Sequence, residues 1–282
     1  YFNVCGTEPD YSPFYLTRII LNQYKDSLPT IRDFKMALQL YPEDWRAYHL
    51  LGKYYNNKGM YKKGLEISSK AIKYFPNNYM IEFDYATSLL YNHQYERCIS
   101  KLEKINILPF EGAGYGHEVY RSALILWALR EYKNGKYQNT INLVERATLW
   151  PENLGAGKPF EVDTRVEDYI KGMCYNKLKK YRLAKEYFAK ISDYTECNSN
   201  LYNSKLLLSA IATKEIGGNG IEILNKWFNA HPNSLIAKWA IASYENNKEN
   251  KNGIITLQDN EWNPFPDDPD FKLVYEIIET IK

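Results

Sequence analysis

The residues of this chain that could do chemistry are four histidines, four cysteines and several close carboxylate pairs. The histidines are His49, His93, His117 and His231; the cysteines are Cys5, Cys98, Cys174 and Cys197. A zinc or iron site needs ligands at short, regular spacing, such as CxxC or two histidines one helical turn apart. No such spacing occurs, so no metal is expected, and the thiols read as buried and reduced. Three carboxylate pairs, Glu82 with Asp84, Glu161 with Asp163 and Glu167 with Asp168, each lie within a turn of chain. General acid–base catalysis needs two carboxylates held across a pocket in different environments. Neighbours on one turn do not supply that, so these read as solvated faces. No Ser–His or Cys–His constellation is legible, and the segment reads as non-catalytic, with no cofactor.

The stretch WPENLGAGKPFEVD, Trp150 to Asp163, offers one more candidate. A phosphate cradle has the pattern GxxxxGK[ST] between a strand and a helix, so that backbone amides face the phosphate. Here Pro159 follows Lys158, Glu152 stands where the first glycine belongs, and no strand precedes the segment. Nucleotide binding is therefore set aside, and the glycines read as loop residues that supply backbone angles other residues disfavour.

The elements that would position these residues are helices that repeat. In WRAYHLLGKYYNNKGMYKKGLEISSKAIKYFPNN, from Trp45, the markers are Leu51-Gly52, Tyr55, Tyr61, Gly64, Ala71 and Pro76. Tyr61 and Tyr95 are 34 residues apart, as are Pro42 and Pro76. Ala86 and Cys98 then fall on Gly52 and Gly64. Upstream, Phe14, Leu21, Phe34 and Ala37 take the core positions. Downstream the same markers recur as Tyr137, Ala147 and Pro151; as Gly172, Tyr175, Tyr181, Ala184 and Phe188; and, degenerately, before Pro232. This pattern resembles the tetratricopeptide repeat, with small residues where two helices cross, an aromatic at the turn and a closing proline. The resemblance implies an all-α fold: a right-handed solenoid of about six helix pairs plus a C-terminal capping helix. The repeats lie near 11–44, 45–78, 79–109, 121–151, 165–198 and 201–234, with a partial unit at 234–257 and an acidic connector and cap helix at 258–282, all in a single domain spanning 1–282. One helix pair cannot bury its apolar face alone, and stacking supplies the continuous core. The recurring turn tyrosines, Tyr61, Tyr95, Tyr137 and Tyr181, read as packing residues.

The turn tyrosines are spaced by 34, 42 and 44 residues, so two junctions carry insertions. The first is LPFEGAGYGHE, Leu108 to Glu118, and the second is the GAGK stretch. Both follow a second helix and precede a first one, so they fall along one edge of the array. They are expected to meet and gather Phe110, Glu111, Tyr115, His117, Glu118, Trp150, Asn153 and Lys158 into a binding surface, since ordered loops on a rigid scaffold commonly carry function. A second candidate is the concave groove lined by the first helices: Tyr15, Asn22, Arg46, His49, Lys53, Asn56, Phe83, Thr87 and Tyr91. His49 is expected to be exposed there, and His93 to be solvated in its turn.

The phrases PFYLTR, DWRAYHLLGKYY, ILPFEGAGYGHE and WPENLGAGKPFEVDTRVEDY also resemble the helical-repeat region of large bacterial proteins that carry a β-rich, sugar-mutarotase-like domain of unknown function. That resemblance implies a helical arm whose partner is a protein or another domain of the same polypeptide, with the β-rich domain upstream. The chain starts at Tyr1 with no leader, so it reads as a piece of a longer polypeptide in the cytoplasm or the periplasm.

Composition narrows the classes further. The chain has 282 residues, 45% hydrophobic and 25% charged, with a net charge of +2. Interspersed charges give no field for nucleic acid, and no apolar run reaches the roughly 18 residues of a membrane span. Aromatics make up 15%, 26 of them tyrosine. They either fill helix seams or form a glycan-recognising surface. The leading expectation is therefore a protein-interaction scaffold, and the alternative is a carbohydrate-binding or accessory module of a glycan-processing protein.

Overall fold

In the computed structural model, residues 9–22, 28–109, 114–247, 265 and 267–281 are described. Phe110, Glu111, Cys5, the side chain of Asn22, residues 248–257 of the partial unit and most of the acidic connector lie outside them. The described residues hold fourteen α-helices and no strand, the all-α fold that the repeat pattern implies. They form two compact units, Tyr1–Leu108 and Pro109–Lys282, where the sequence reading takes one continuous array.

Unit 1 contains α1 (Ser12–Asn22), α2 (Leu28–Leu40), α3 (Trp45–Asn57), α4 (Tyr61–Tyr74), α5 (Tyr79–Tyr91) and α6 (Tyr95–Leu102), packed as successive pairs. Unit 2 contains α7 (Tyr115–Lys133), α8 (Tyr137–Ala147), α9 (Arg165–Lys177), α10 (Tyr181–Cys197), α11 (Lys205–Glu215), α12 (Gly220–Ala230), α13 (Leu235–Tyr244) and α14 (Phe271–Ile281). The punctuation is written locally. Proline cannot continue a helix, and two residues later a short polar side chain starts the next one. Thus Asp44 after Pro42 accepts the Arg46 N–H at 3.0 Å, Asn78 after Pro76 accepts the Met80 N–H at 3.0 Å, and Ser234 after Pro232 accepts the Ala237 N–H at 3.2 Å.

The turn inside each pair needs one left-handed residue, two positions before the turn tyrosine. Gly59 (φ 66°), His93 (φ 57°), Gly135 (φ 73°) and Lys179 (φ 59°) take it in turn. Glycine adopts that angle without a Cβ penalty; His93 and Lys179 adopt it against one. Helix pairs then cross closely over small residues. A Cβ on Gly172 would lie 2.5 Å from the Phe188 ring, and one on Gly220 would lie 1.9 Å from the Ala210 carbonyl oxygen.

Several expectations change. Leu21, read as a core position, is 58% exposed, and Cys197, read as a buried thiol, is exposed. The turn tyrosines do not share one environment: Tyr95 is buried, Tyr61 packs on Tyr91 and Tyr137 on Tyr132, but Tyr181 is 61% exposed. The helix that follows its pair, α11, carries no aromatic residue to cover it. The last helix, expected over the open end of the array, instead packs against α7, α9 and α11, the first helices of three successive pairs. Its buried face is Phe271, Leu273, Val274, Ile277, Ile278 and Ile281. Trp239 of α13, fully buried, meets Phe271 edge-on at 5.1 Å and stacks on Tyr275 at 5.9 Å.

Candidate functional site

In unit 1 the helical period sets Arg46, His49, Lys53 and Asn56 along one stripe of α3, and α5 packs beside it. His49 is not exposed as expected: its Nδ1 lies 2.7 Å from Asp84 Oδ2, and both side chains are largely covered. Burial pushes the Asp84 carboxyl above its ordinary value, against the pull of the His49 hydrogen bond and of the His49 and Lys53 charges. Asn56 donates from Nδ2 to Ser88 Oγ at 3.3 Å, while its Oδ1 sits where a Cβ on Gly64 would be, 2.0 Å from that point. Asn56 is therefore a packing residue between α3, α4 and α5. Tyr15 is fully buried, its hydroxyl donating to the Pro9 carbonyl at 2.8 Å, so no surface presents it. Arg46 and Lys53 are exposed, and Phe83 and Tyr91 are half-buried. The stripe thus presents Lys53 and Arg46, the latter 3.5 Å from Asp44 Oδ1, above a polar seam in which Asn56 Oδ1 and Thr87 Oγ1 have no hydrogen-bond partner among the described residues.

In unit 2 the structure brings His117 and Trp150 together. Their rings stack at 3.5 Å with 9° between planes, and His117 Nε2–H donates to the Leu149 carbonyl at 3.1 Å. Burial, with the nearby Arg121 charge, pushes the His117 imidazole down to about 4, so it is neutral at pH 7 and spends its proton on the backbone. A short 3-10 turn at Glu152–Leu154 follows, anchored by buried Leu154 and closed by Gly155 at φ 77°. The GAGK stretch is accordingly an ordered loop. Tyr115, Trp150 and Asn153 are half-buried, whereas Glu118 and Lys158 are exposed. Two residues past Lys158, Phe160 is fully solvent-exposed.

The sequence reading missed the charged seam beneath α14. Glu167 and Asp168, expected on a solvated face, are 2% and 8% exposed. Arg121 of α7 bonds Glu167 of α9 and Asp270 ahead of α14, each at 2.5 Å. Lys205 of α11 joins Asp270 at 2.8 Å and Asp163 at 2.9 Å, and Asp163 in turn holds Arg165 through two bonds of 2.9 and 2.8 Å. Burial alone would raise the Asp270 carboxyl, yet Arg121 and Lys205 hold it well below the usual carboxylate range; Asp163 is lowered in the same way by Arg165 and Lys205. Buried charges persist only when paired in this manner. Arg121 Nη2 and Glu167 Oε2 are buried with no hydrogen-bond partner among the described residues. Charges in RVED and DDPD were the visible signal, but their partners lie far away in sequence.

These groups hold the fold. The seam's carboxylates are neutralised by cations, and the buried Cys98 and Cys174 thiols are both pushed up to about 12 by burial, far from reactive thiolates. Among the described residues no cluster of three His, Cys, Asp or Glu gathers for a metal, and no helix is long and apolar enough to cross a membrane.

The described residues form an all-helical array of helix pairs, marked by the left-handed turn, the Pro–x–cap punctuation and the small crossing residues. No family profile matches the sequence, and no curated protein does. Similar solved structures include one titled "Functional Characterization of Pseudomonas Aeruginosa pilF", at 15% identity and a TM-score of 0.46, covering 84% of this chain and 96% of that one. Another is titled "Crystal structure of APC/C hetero-tetramer Cut9-Hcn1", at 14% identity and a TM-score of 0.46, covering 86% of this chain and 44% of that one. The present chain spans less than half of that second protein.

Proposed function

We propose that the chain is a non-catalytic helical-repeat scaffold that docks an acidic segment, from a protein partner or another domain of the same polypeptide, on the α3–α5 face of unit 1. One observation carries this reading: the first-helix face of unit 2 is covered by the chain's own α14, while no described element covers the corresponding face of unit 1. That α14 seats an amphipathic helix against first helices is direct precedent for helix-in-groove recognition by this architecture. Exposed Arg46 and Lys53 favour an acidic occupant. The aromatic content supports scaffolding over glycan recognition. Rings pair with one another inside helix seams, as Phe34 with Tyr54 at 5.7 Å and Tyr175 with Tyr187 at 5.5 Å. The exposed rings Tyr11, Tyr41, Tyr74, Phe160 and Tyr181 sit on separate segments. The loop residues Tyr115, His117, Glu118, Trp150, Asn153 and Lys158 form a secondary candidate, with exposed Phe160 as its apolar anchor.

The test is fluorescence anisotropy of acidic amphipathic peptides titrated with the intact chain and with Arg46→Glu/Lys53→Glu. Both positions are exposed, so the variant should fold. Saturable binding that the double variant loses supports the reading. Binding that is unchanged in the double variant, or absent for every acidic peptide, sinks it.

A further inference from the structure

A cleft of about 730 Å³ opens in unit 2 between the segment before α11, the end of α12, the turn into α13 and the residues ahead of α14. That size suits a small molecule or one long side chain. Its walls carry the rings of Tyr202, Trp227, His231 and Phe265 and the carboxylates Asp267 and Asp268, with no lysine or arginine among the described residues that line it. The backbone N–H of His231 donates to the Trp227 carbonyl at 2.9 Å, and its imidazole lies 4.7 Å from the Tyr202 ring at 68°. Phe265 meets buried Phe271 edge-on at 4.7 Å, and Trp227 is 3% exposed. Asp268 is buried and fixed, its Oδ2 accepting the Ser204 N–H at 2.6 Å and its Oδ1 accepting the Ser204 hydroxyl at 3.0 Å. Asp267 is exposed at the rim.

Ring faces carry negative quadrupole density, and carboxylates add full negative charge, so a wall of both attracts cations and rejects anions. Its carboxylates are acceptors, which suits a donor-rich ligand. We propose that this cleft binds an organic cation, an ammonium or guanidinium group on an aliphatic stem. Both a peptide lysine or arginine and a free small amine carry that chemistry. The site lies in unit 2 and does not rest on the acidic segment proposed for unit 1.

Calorimetric titration of the intact chain with the methylamides of N-acetyl-lysine and N-acetyl-arginine, and with butylamine, tests it. N-acetyl-norleucine methylamide and methyl glucoside serve as neutral controls. The expected result is saturable binding of the cations, none of the neutral probes, and binding weakened about tenfold in Asp267→Asn. Asp267 is exposed, so an unchanged circular-dichroism melt should accompany that loss; Tyr202→Ala is the second variant. Tighter binding of the amino-acid probes than of butylamine names a peptide side chain as the source, and the reverse names a free amine. No saturable binding of any cation, equal binding of the norleucine probe, preference for the glucoside, or undiminished binding in Asp267→Asn overturns the proposal.

Discussion

Units 1 and 2 are built from the same helix pair and treat its first-helix face in opposite ways. In unit 1 no described element covers that face, and short-range polar pairs, His49 with Asp84 and Asn56 with Ser88, join neighbouring first helices beneath it. In unit 2 it is closed by a helix from the far end of the chain and a buried ion network in which Arg121 reaches Asp270. A helix pair therefore dictates that a face exists, not what covers it. Where the chain itself does not cover the face, another molecule can.

The largest test of this contrast is Arg121→Ala, which strands Glu167 in a buried seam and leaves Asp270 with Lys205 alone. Losing one partner of a buried pair costs about 3–5 kcal/mol. Hydrogen exchange should show unit 2 amides, those of α14 first, losing protection while unit 1 amides keep theirs. Equal loss in both units would break the comparison.

Acid should separate the units next. The His117 imidazole falls to about 4 in the folded chain, from an ordinary value of 6.5. A lowered histidine stabilises the fold above the unfolded value, and that contribution is lost as pH drops from about 6.5 to about 4, roughly 3 kcal/mol in all. Below that, Asp270 and Asp163, both held low, add further loss as the unfolded carboxylates take up protons. Denaturant melts across this range should weaken at unit 2, and His117→Gln should flatten the upper part of the curve. A flat wild-type profile between pH 7 and 4 would contradict the assignment.

Substitutions at the helix crossings should follow. Gly220→Ala drives a methyl into the Ala210 backbone, which cannot rotate away, and should cost about 1–3 kcal/mol. Gly64→Ala meets only the Asn56 amide, which can turn, so its cost in a thermal melt should be smaller. The reverse order would show that Asn56 is the more rigid neighbour. Smallest of all, Tyr181→Ala on an exposed ring should stay within about 0.5 kcal/mol of wild type, and Tyr95→Ala should exceed it severalfold.

The helices were legible because their signals are local. The Pro42–Asp44 and Pro76–Asn78 punctuation, Gly59 before Tyr61 and the 34-residue period are all set by neighbours in sequence. The position of α14 was not legible: FKLVYEIIETIK shows that one face must be buried, but amphipathicity does not say against what. The charged seam was hidden for the same reason, since Glu167 looks solvated until Arg121, 46 residues earlier, is placed beside it. Tyr181 misled because a position shared across repeats is packed only when a neighbouring helix brings a ring to it, as Tyr91 does for Tyr61 and Tyr132 for Tyr137. Of the candidate site, the stacking of His117 on Trp150 joins the start of α7 to the segment after α8, whereas the buried state of Tyr15 and the packing role of Asn56 depend on neighbours far away in sequence.

The seat of α14 also sets a timetable for synthesis. Unit 1 joins neighbours in sequence and can fold as it leaves the ribosome. Arg121 must wait for Asp270, 149 residues later. At translation rates of about 5–20 residues per second, that delay is roughly seven to thirty seconds. For that interval α7, α9 and α11 hold out an apolar, charge-lined trough with nothing of their own to fill it. In unit 2 that apolar surface stays open until the last helix is made, whereas unit 1 closes its seams between neighbours in sequence.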